Sequence, residues 1–349
     1  MTRYILKPNV SIFYLDDETA IIKSAEGITI RIKQSDVRSF LENFFKNLRE
    51  VGVEGIKHDK DLEKLFDVLF KHKIIIGEDM LGEYHEETSP ITRFFLAYTS
   101  LGGAAHKVLE DVSVGIINLG IVGSTLLKML VDDSVKKFYI LDVEKVSCDD
   151  LLSPVYSEKD IGIERSHIIK ERFKDRAKIV DASDVASYLN YIDGVVDITV
   201  VTSDTSDYIL LQELNSKLAP RAAGPIVYTW LDCARLFIGP IFVDGESACF
   251  EDFVRSSLIN ASRYNDSKRI FREAEFYQYA RPAITESGLN FAVGLLSELV
   301  INLALDIIPV DQLVNKIFIA DPITLSIKSV PVWHDPLCEI CIKHYKKYI

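Results

Sequence analysis

The sequence predicts an α/β chain in two parts, a small α+β domain over residues 1–85 and a larger domain with a mainly parallel sheet over 86–349. Three observations predict this. A strand, a glycine turn and a helix follow one another in VGIINLGIVGSTLLKML at 114–130. Further short apolar runs then alternate with helical segments, the pattern of a parallel sheet wound with helices. Ahead of them, three short strand-like runs, two of them alternating with period two, precede two amphipathic helices, a winged-helix-like layout.

In chain order, Val10, Ile12 and Tyr14 alternate, then 20–22, then Ile28, Ile30 and Ile32, with turn residues Asp16-Asp17 and Glu26-Gly27 between them. Val37, Phe40, Leu41, Phe44, Phe45 and Leu48 form one helical stripe, with Ser35 as the expected N-cap. A second helix over 59–71 turns Leu62, Leu65, Phe66 and Leu69 inward, and 73–76 reads as a closing strand. The polar stretch 78–92 is the expected linker, and 93–105 a helix leading onward. Strands are expected at 112–118, 137–142, 198–202, 226–230 and 237–243, a crossover segment at about 244–287, and a buried helix at 291–308.

Composition narrows the function classes. Hydrophobic residues make up 48% of the 349, enough for sizeable cores. A formal charge of −12 argues against nucleic-acid binding, which rests on phosphate contacts. The opening residues lack a signal peptide's apolar core, and the apolar stretch 291–308 is interrupted by Glu298 and Asp306, so neither secretion nor a membrane is expected. Five cysteines in a chain this long do not suggest a disulfide scaffold. A cytoplasmic protein is the expectation. Cys148 and Cys233 are expected to be buried structural thiols.

A glycine turn between strand and helix lets amides approach a phosphate. Gly120 and Gly123 alone are served equally well by tight strand–helix packing. The context is more specific. Asp142 ends the next strand, roughly 20 residues on, where a ribose partner is expected. The segment LDVEKVSCDDLLSPVYSEKDIG then resembles the ThiF/MoeB superfamily, whose members activate carboxyl groups as acyl-adenylates. The resemblance covers roughly 90–345 and implies a Rossmann-like ThiF-type fold. It assigns Asp142 and Glu144 to the family's acid pair, Asp160-Ile161-Gly162 to its D-[VI]-G, and Asp204 to the aspartate that holds metal–ATP. The departures bear on activity. Asn118 and Ile121 replace the first and third glycines of G-x-G-G-x-G. Ser153 and Pro154 stand where the family has arginine and glutamine, and Asp150 where it has asparagine, a substitution that would repel phosphate. Arg165 replaces its lysine. The resemblance therefore implies a scaffold degraded as an adenylating enzyme, with Ser153 and Arg165 as the altered catalytic positions.

Many ThiF-type proteins hold a structural zinc between two C-x-x-C pairs. Here Cys338 and Cys341 supply one pair, while the other has Cys249 with Asp252 in the partner position. Either these four residues hold zinc or the cysteines are buried apolar residues.

The N-terminal layout, with Tyr4-Ile5-Leu6-Lys7-Pro8-Asn9-Val10 like the motif R-x-[RK]-P-x-V, resembles the leader-peptide recognition domains of ribosomal-peptide biosynthesis. Such domains add the peptide as a strand. The expected contacts are Thr29, Arg31 and Lys33 on the edge strand and Lys60 and Lys64 on the second helix. The resemblance implies a ThiF-like partner of YcaO cyclodehydratases that binds the precursor peptide and forms a homodimer through the apolar helix 291–305. The alternative is a peptide adenylyltransferase of the microcin C type, using ATP and magnesium. A plain sulfur-carrier activating enzyme fits the extra domain and the altered motif least well.

Overall fold

The computed structural model describes residues 2–81, 90–99, 101–262, 264–272 and 281–341. The chain forms two compact units, residues 1–107 and 108–349. In the first, β1 (Tyr4–Leu6), β2 (Val10–Tyr14), β3 (Thr19–Ser24) and β4 (Thr29–Lys33) precede α1 (Val37–Glu50), α2 (Lys60–Lys71), β5 (Ile75–Gly77) and α3 (Pro90–Tyr98). The three expected strands are β2, β3 and β4, an antiparallel sheet in that order. The strand β1 escaped the pattern because three residues carry no period, and its partner β5 lies about 70 positions away in sequence. Ile22, Leu41, Phe44, Leu62 and Leu69 are buried in one core. Each such side chain contributes about 1.5–3 kcal/mol relative to exposure.

The cap of α1 differs from expectation. Asp36, not Ser35, sits at the N-cap with φ 53°, and its carboxylate accepts from Ser39 N at 3.2 Å. Aspartate tolerates the left-handed region because its short polar side chain bonds locally. The helix expected at 93–105 is also divided: α3 ends at Tyr98, and α4 (Ala105–Asp111) follows a single tight turn at Gly102–Ala104.

The second unit runs β6 (Ser113–Ile117), α5 (Ile121–Asp132), β7 (Lys137–Leu141), α6 (Arg165–Phe173), β8 (Lys178–Ala182), α7 (Val185–Ile192), β9 (Ile198–Ser203), α8 (Tyr208–Leu218), β10 (Ile226–Asp232), β11 (Arg235–Phe242), α9 (Phe250–Ile259), α10 (Tyr264–Arg272), α11 (Glu286–Leu305), β12 (Lys316–Asp321) and β13 (Ser326–Pro331). Its eight-stranded sheet has the order β13-β12-β11-β10-β9-β6-β7-β8. From β8 to β10 the strands run parallel, and β11, β12 and β13 add antiparallel pairs. Strand order reverses between β6 and β9, so the crevice at their carboxyl ends is where an open α/β sheet binds ligands.

One expectation is overturned here. Cys148 and Cys233 are exposed, not buried. Cys148 starts a tight turn beyond β7, and Cys233 occupies the two-residue turn of the β10–β11 hairpin at φ 54°. The helix α11 is the one expected to offer a dimer face. This helix is long and apolar enough to cross a membrane, yet more than half of its apolar window is buried inside the chain. It packs on α5, β9, β11 and β12, and Phe291 on it is 38% exposed.

Candidate functional site

The glycine turn closes on itself. Asn118 takes φ 69° at the first glycine position, a conformation asparagine tolerates. Its Oδ1 accepts from Gly120 N at 3.0 Å, and its Nδ2 donates to Thr202 O at 3.2 Å. Leu119 N donates to Asp142 Oδ2 at 2.5 Å. Ile121 N and Val122 N, the first free amides of α5, donate to the two carboxylate oxygens of Asp204 at 3.0 and 3.1 Å. Four successive amides, 119–122, thus serve side chains of this chain. Gly120 is needed for that closure, since a Cβ there would lie 1.6 Å from Asp204 Oδ2. Gly123 is needed for packing: its Cβ would lie 2.0 Å from Asn118 O. Ile121 is the first residue of α5 and is buried.

Arg165, at the start of α6, is held by carboxylates. Its guanidinium lies 2.7 Å from Glu144 Oε2, 2.9 Å from Asp150 Oδ1 and 3.6 Å from Asp142 Oδ2. Burial alone would pull its pKa down, but Asp142 and Asp150 overcome this and hold it up. Asp150 is therefore an anchor for Arg165 and not a free charge at the turn. Burial pushes the Asp142 carboxyl up, opposed by the Leu119 amide and Arg165. The Asp142 side chain is only 2% exposed and is turned inward, while Glu144 is largely open to solvent. Asp204 is pushed up to about 6 by burial, against the pull of its two amide donors.

Asn118, Ile121, Glu144, Asp150, Arg165 and Asp204 line a pocket of about 450 Å³ at the switch point, and Asp142 does not reach it. Its acidic lining residues are Glu144, Asp149, Asp150, Asp204 and Asp207, against the cations Arg165 and Arg281. Such a surface repels a triphosphate unless cations accompany it. Ser153 is elsewhere: its hydroxyl is buried and accepts from Ser124 Oγ at 2.8 Å and Thr125 Oγ1 at 3.1 Å. Pro154 is exposed beside it. Asp160 accepts from Ser157 N at 2.7 Å in a capping box whose N-cap is Ser157 and pairs with Arg172, and Gly162 supplies φ 84°. In this chain the Asp160-Ile161-Gly162 motif shapes a loop. Asp207 and Arg281 had no motif to point to them.

The four cysteine-site residues converge. The ligand atoms of Cys249, Asp252, Cys338 and Cys341 lie within 4.8 Å of one another, and all four residues are buried. Cys249 caps α9 and Asp252 sits in its first turn. Cys249 Sγ and Cys338 Sγ are 3.7 Å apart. Tetrahedral thiolates about 2.3 Å from a zinc ion stand about 3.8 Å from each other, so the spacing fits. Asp252 Oδ2 accepts from Cys249 N at 2.9 Å and its Oδ1 from Asp335 N at 3.1 Å, an outer frame that orients the carboxylate. Asn215, whose Nδ2 donates to Cys249 Sγ at 3.5 Å, and Asp335 were not foreseen, because they lie in other elements.

In the first unit, β4 is an edge strand. Ser24 N donates to Ile28 O and Gln34 N to Glu18 O, both at 2.9 Å. These bonds bracket the antiparallel ladder, so Ile28, Ile30 and Ile32 turn their backbone groups to β3. Thr29, Arg31 and Lys33 turn theirs to the free edge, and their side chains are exposed. Immediately before β4, Ile28 lines a groove of about 810 Å³, whose walls include Phe70, Lys71, His72, Lys73 and Tyr98. Lys60 and Lys64 are exposed at the other end of α2 and do not line it; Lys64 Nζ lies 3.6 Å from Asp61.

No protein-family model matches the sequence, and no curated protein matches it. Solved structures do match. The E. coli MccB structure aligns with a TM-score of 0.73 at 19% identity, over 98% of this chain and 97% of that one. MccB with ATP aligns with 0.73 at 18% identity, over 98% and 100%. The microcin C7 biosynthetic enzyme MccB in complex with N-formylated MccA aligns with 0.73 at 19% identity, over 98% and 100%. PaaA aligns with 0.64 at 18% identity, over 93% and 99%. Through 108–349 the chain is built on the ThiF-like α/β fold, and over its length it shares the fold of MccB and PaaA.

Proposed function

We propose that this chain is a leader-peptide-binding, non-adenylating ThiF-like partner protein in the biosynthesis of ribosomal peptide natural products of the azole/azoline, bacteriocin type. It presents a precursor peptide to a YcaO-type cyclodehydratase. One observation carries the non-adenylating half: Asp204 occupies the amides of Ile121 and Val122, where a nucleotide phosphate would bind. A phosphate must displace that carboxylate and enter a mostly acidic pocket, and Arg165 is already committed to three carboxylates. The binding half draws on the outward backbone groups of Thr29, Arg31 and Lys33. The fold's likeness to MccB, a protein solved with MccA, supports it.

The test is ATP–pyrophosphate exchange by the purified chain with the precursor peptide encoded beside its gene. No exchange is expected. Robust exchange that disappears in Asp204→Ala overturns the proposal in favour of an ATP- and magnesium-dependent peptide adenylyltransferase. That second reading has its own support, since a pocket of about 450 Å³ remains at the switch point and MccB has been solved with ATP. A structural zinc on Cys249, Asp252, Cys338 and Cys341, and a homodimer, belong to the same proposal.

A further inference from the structure

The groove at the start of β4 has a chemistry of its own. The chain as a whole carries 52 Asp and Glu against 40 Lys and Arg. Around this groove the balance reverses: Lys7, Lys71 and Lys73 stand against Glu26. Ion pairs in this unit join Arg3 to Glu78, Lys57 to Glu54 and Lys64 to Asp61, and among the described residues none engages Lys71 or Lys73. Between the lysines the surface is apolar. Phe70 is 52% exposed and Tyr98 44%, large areas to leave in water. Phe70 is also fixed in place, stacked on Phe66 at 5.6 Å with the Tyr4 ring edge-on at 5.9 Å. A rigid apolar wall loses little entropy when a ligand packs on it. The groove meets Ile28, one residue from the first outward backbone group of β4.

We infer that this groove selects an acidic–apolar peptide segment: an apolar side chain packs against Phe70, Ile28 and Tyr98, and flanking carboxylates pair with Lys71 and Lys73. The inference rests on the peptide-binding reading above and names the chemistry of its ligand. Backbone bonds along β4 accept any extended sequence, so the choice of sequence falls to side-chain contacts such as these. Exposed charge pairs add little individually, and their joint effect is strongest at low salt.

The experiment uses the full chain and fluorescein-labelled peptides read by anisotropy at low and high salt. One peptide has a Glu-Glu-Leu-Phe-Glu-Glu core, a second has glutamine for each glutamate, and a third has serine for Leu-Phe. The acidic–apolar peptide should bind most tightly and lose affinity as salt rises. In Lys71→Glu/Lys73→Glu its binding should fall about tenfold and its salt dependence flatten, with the glutamine peptide unaffected. Phe70→Ser should weaken both peptides that retain Leu-Phe and preserve the salt dependence. Equal binding of the acidic and glutamine peptides, or an unchanged affinity in the lysine variant with an unchanged circular dichroism spectrum, overturns the inference. If the precursor peptide binds, loses affinity in Thr29→Pro and ignores the lysine variant, strand addition stands and the groove chemistry is wrong. If the precursor does not bind the full chain at all, the peptide-binding reading fails and this inference fails with it.

Discussion

At the scale of single residues, the decisive relation is between Gly120 and Asp204. The hydrogen of Gly120 leaves room for the carboxylate, and the carboxylate satisfies two amides that would otherwise be open at the start of α5. Gly120→Ala should cost about 1–3 kcal/mol through overpacking. In an Asp204→Ala background most of that cost should vanish, because the clashing atoms are gone. A double-mutant cycle by chemical denaturation measures this, and a coupling near zero would mean that the two do not compete for the same space. The pH dependence follows from the same carboxyl. Its folded pKa of about 6 lies above the unfolded value of about 3.9, so the folded chain binds the proton more tightly. The resulting stabilisation is full below the unfolded pKa and is lost as pH rises through 6. Asp204→Asn should therefore flatten the stability profile between about pH 4 and 6. A variant profile parallel to that of the native chain would contradict the assignment.

At the scale of elements, β4 and α9 carry separate predictions. Thr29→Pro removes an outward N–H and leaves the β3 ladder intact, because Ile28 and Ile30 carry the bonds to β3. Affinity for the precursor peptide should drop about tenfold, the equivalent of about 1.4 kcal/mol, with thermal stability little changed. Peptide affinity equal to that of the native chain would show that the edge is not used. For α9, elemental analysis should find one zinc ion per chain. Cys338→Ser should lose the metal and lower the melting temperature, since the metal contributes folding energy. Metal-free protein purified without chelator would leave the cluster as packing alone. These elements also mark what the sequence makes legible. The alternation of β2 and β4 and the stripes of α1 and α2 are local patterns, and so was the outward set Thr29, Arg31 and Lys33. The groove was not legible, because Ile28, Phe70 and Tyr98 meet only after folding. The closure of the turn by Asp204 was hidden for the same reason: a motif gives the residue, while the direction of its carboxylate depends on β9 and α5 together.

At the scale of the whole molecule, the open question is self-association. The helix α11 has 56% of its apolar window buried in this chain's own core, so another face is the better candidate for a dimer. The edge of the large sheet offers one. Ile323 and Leu325 at the β12–β13 turn, Ile327 and Val330 on β13, and Trp333 beyond it are all exposed. An exposed, apolar edge strand is a template for pairing, and a second copy would cover it. Charge works against this. Each chain carries −12, so two copies repel at low salt and the repulsion fades once the screening length falls to about 10 Å or less. Sedimentation velocity should find a dimer at micromolar concentration whose affinity rises with salt. Ile327→Asp/Val330→Asp should shift it to monomer and leave precursor-peptide affinity as it was. A native chain that stays monomeric at every salt concentration ends the dimer proposal, and a double variant as dimeric as the native chain moves the interface to another face.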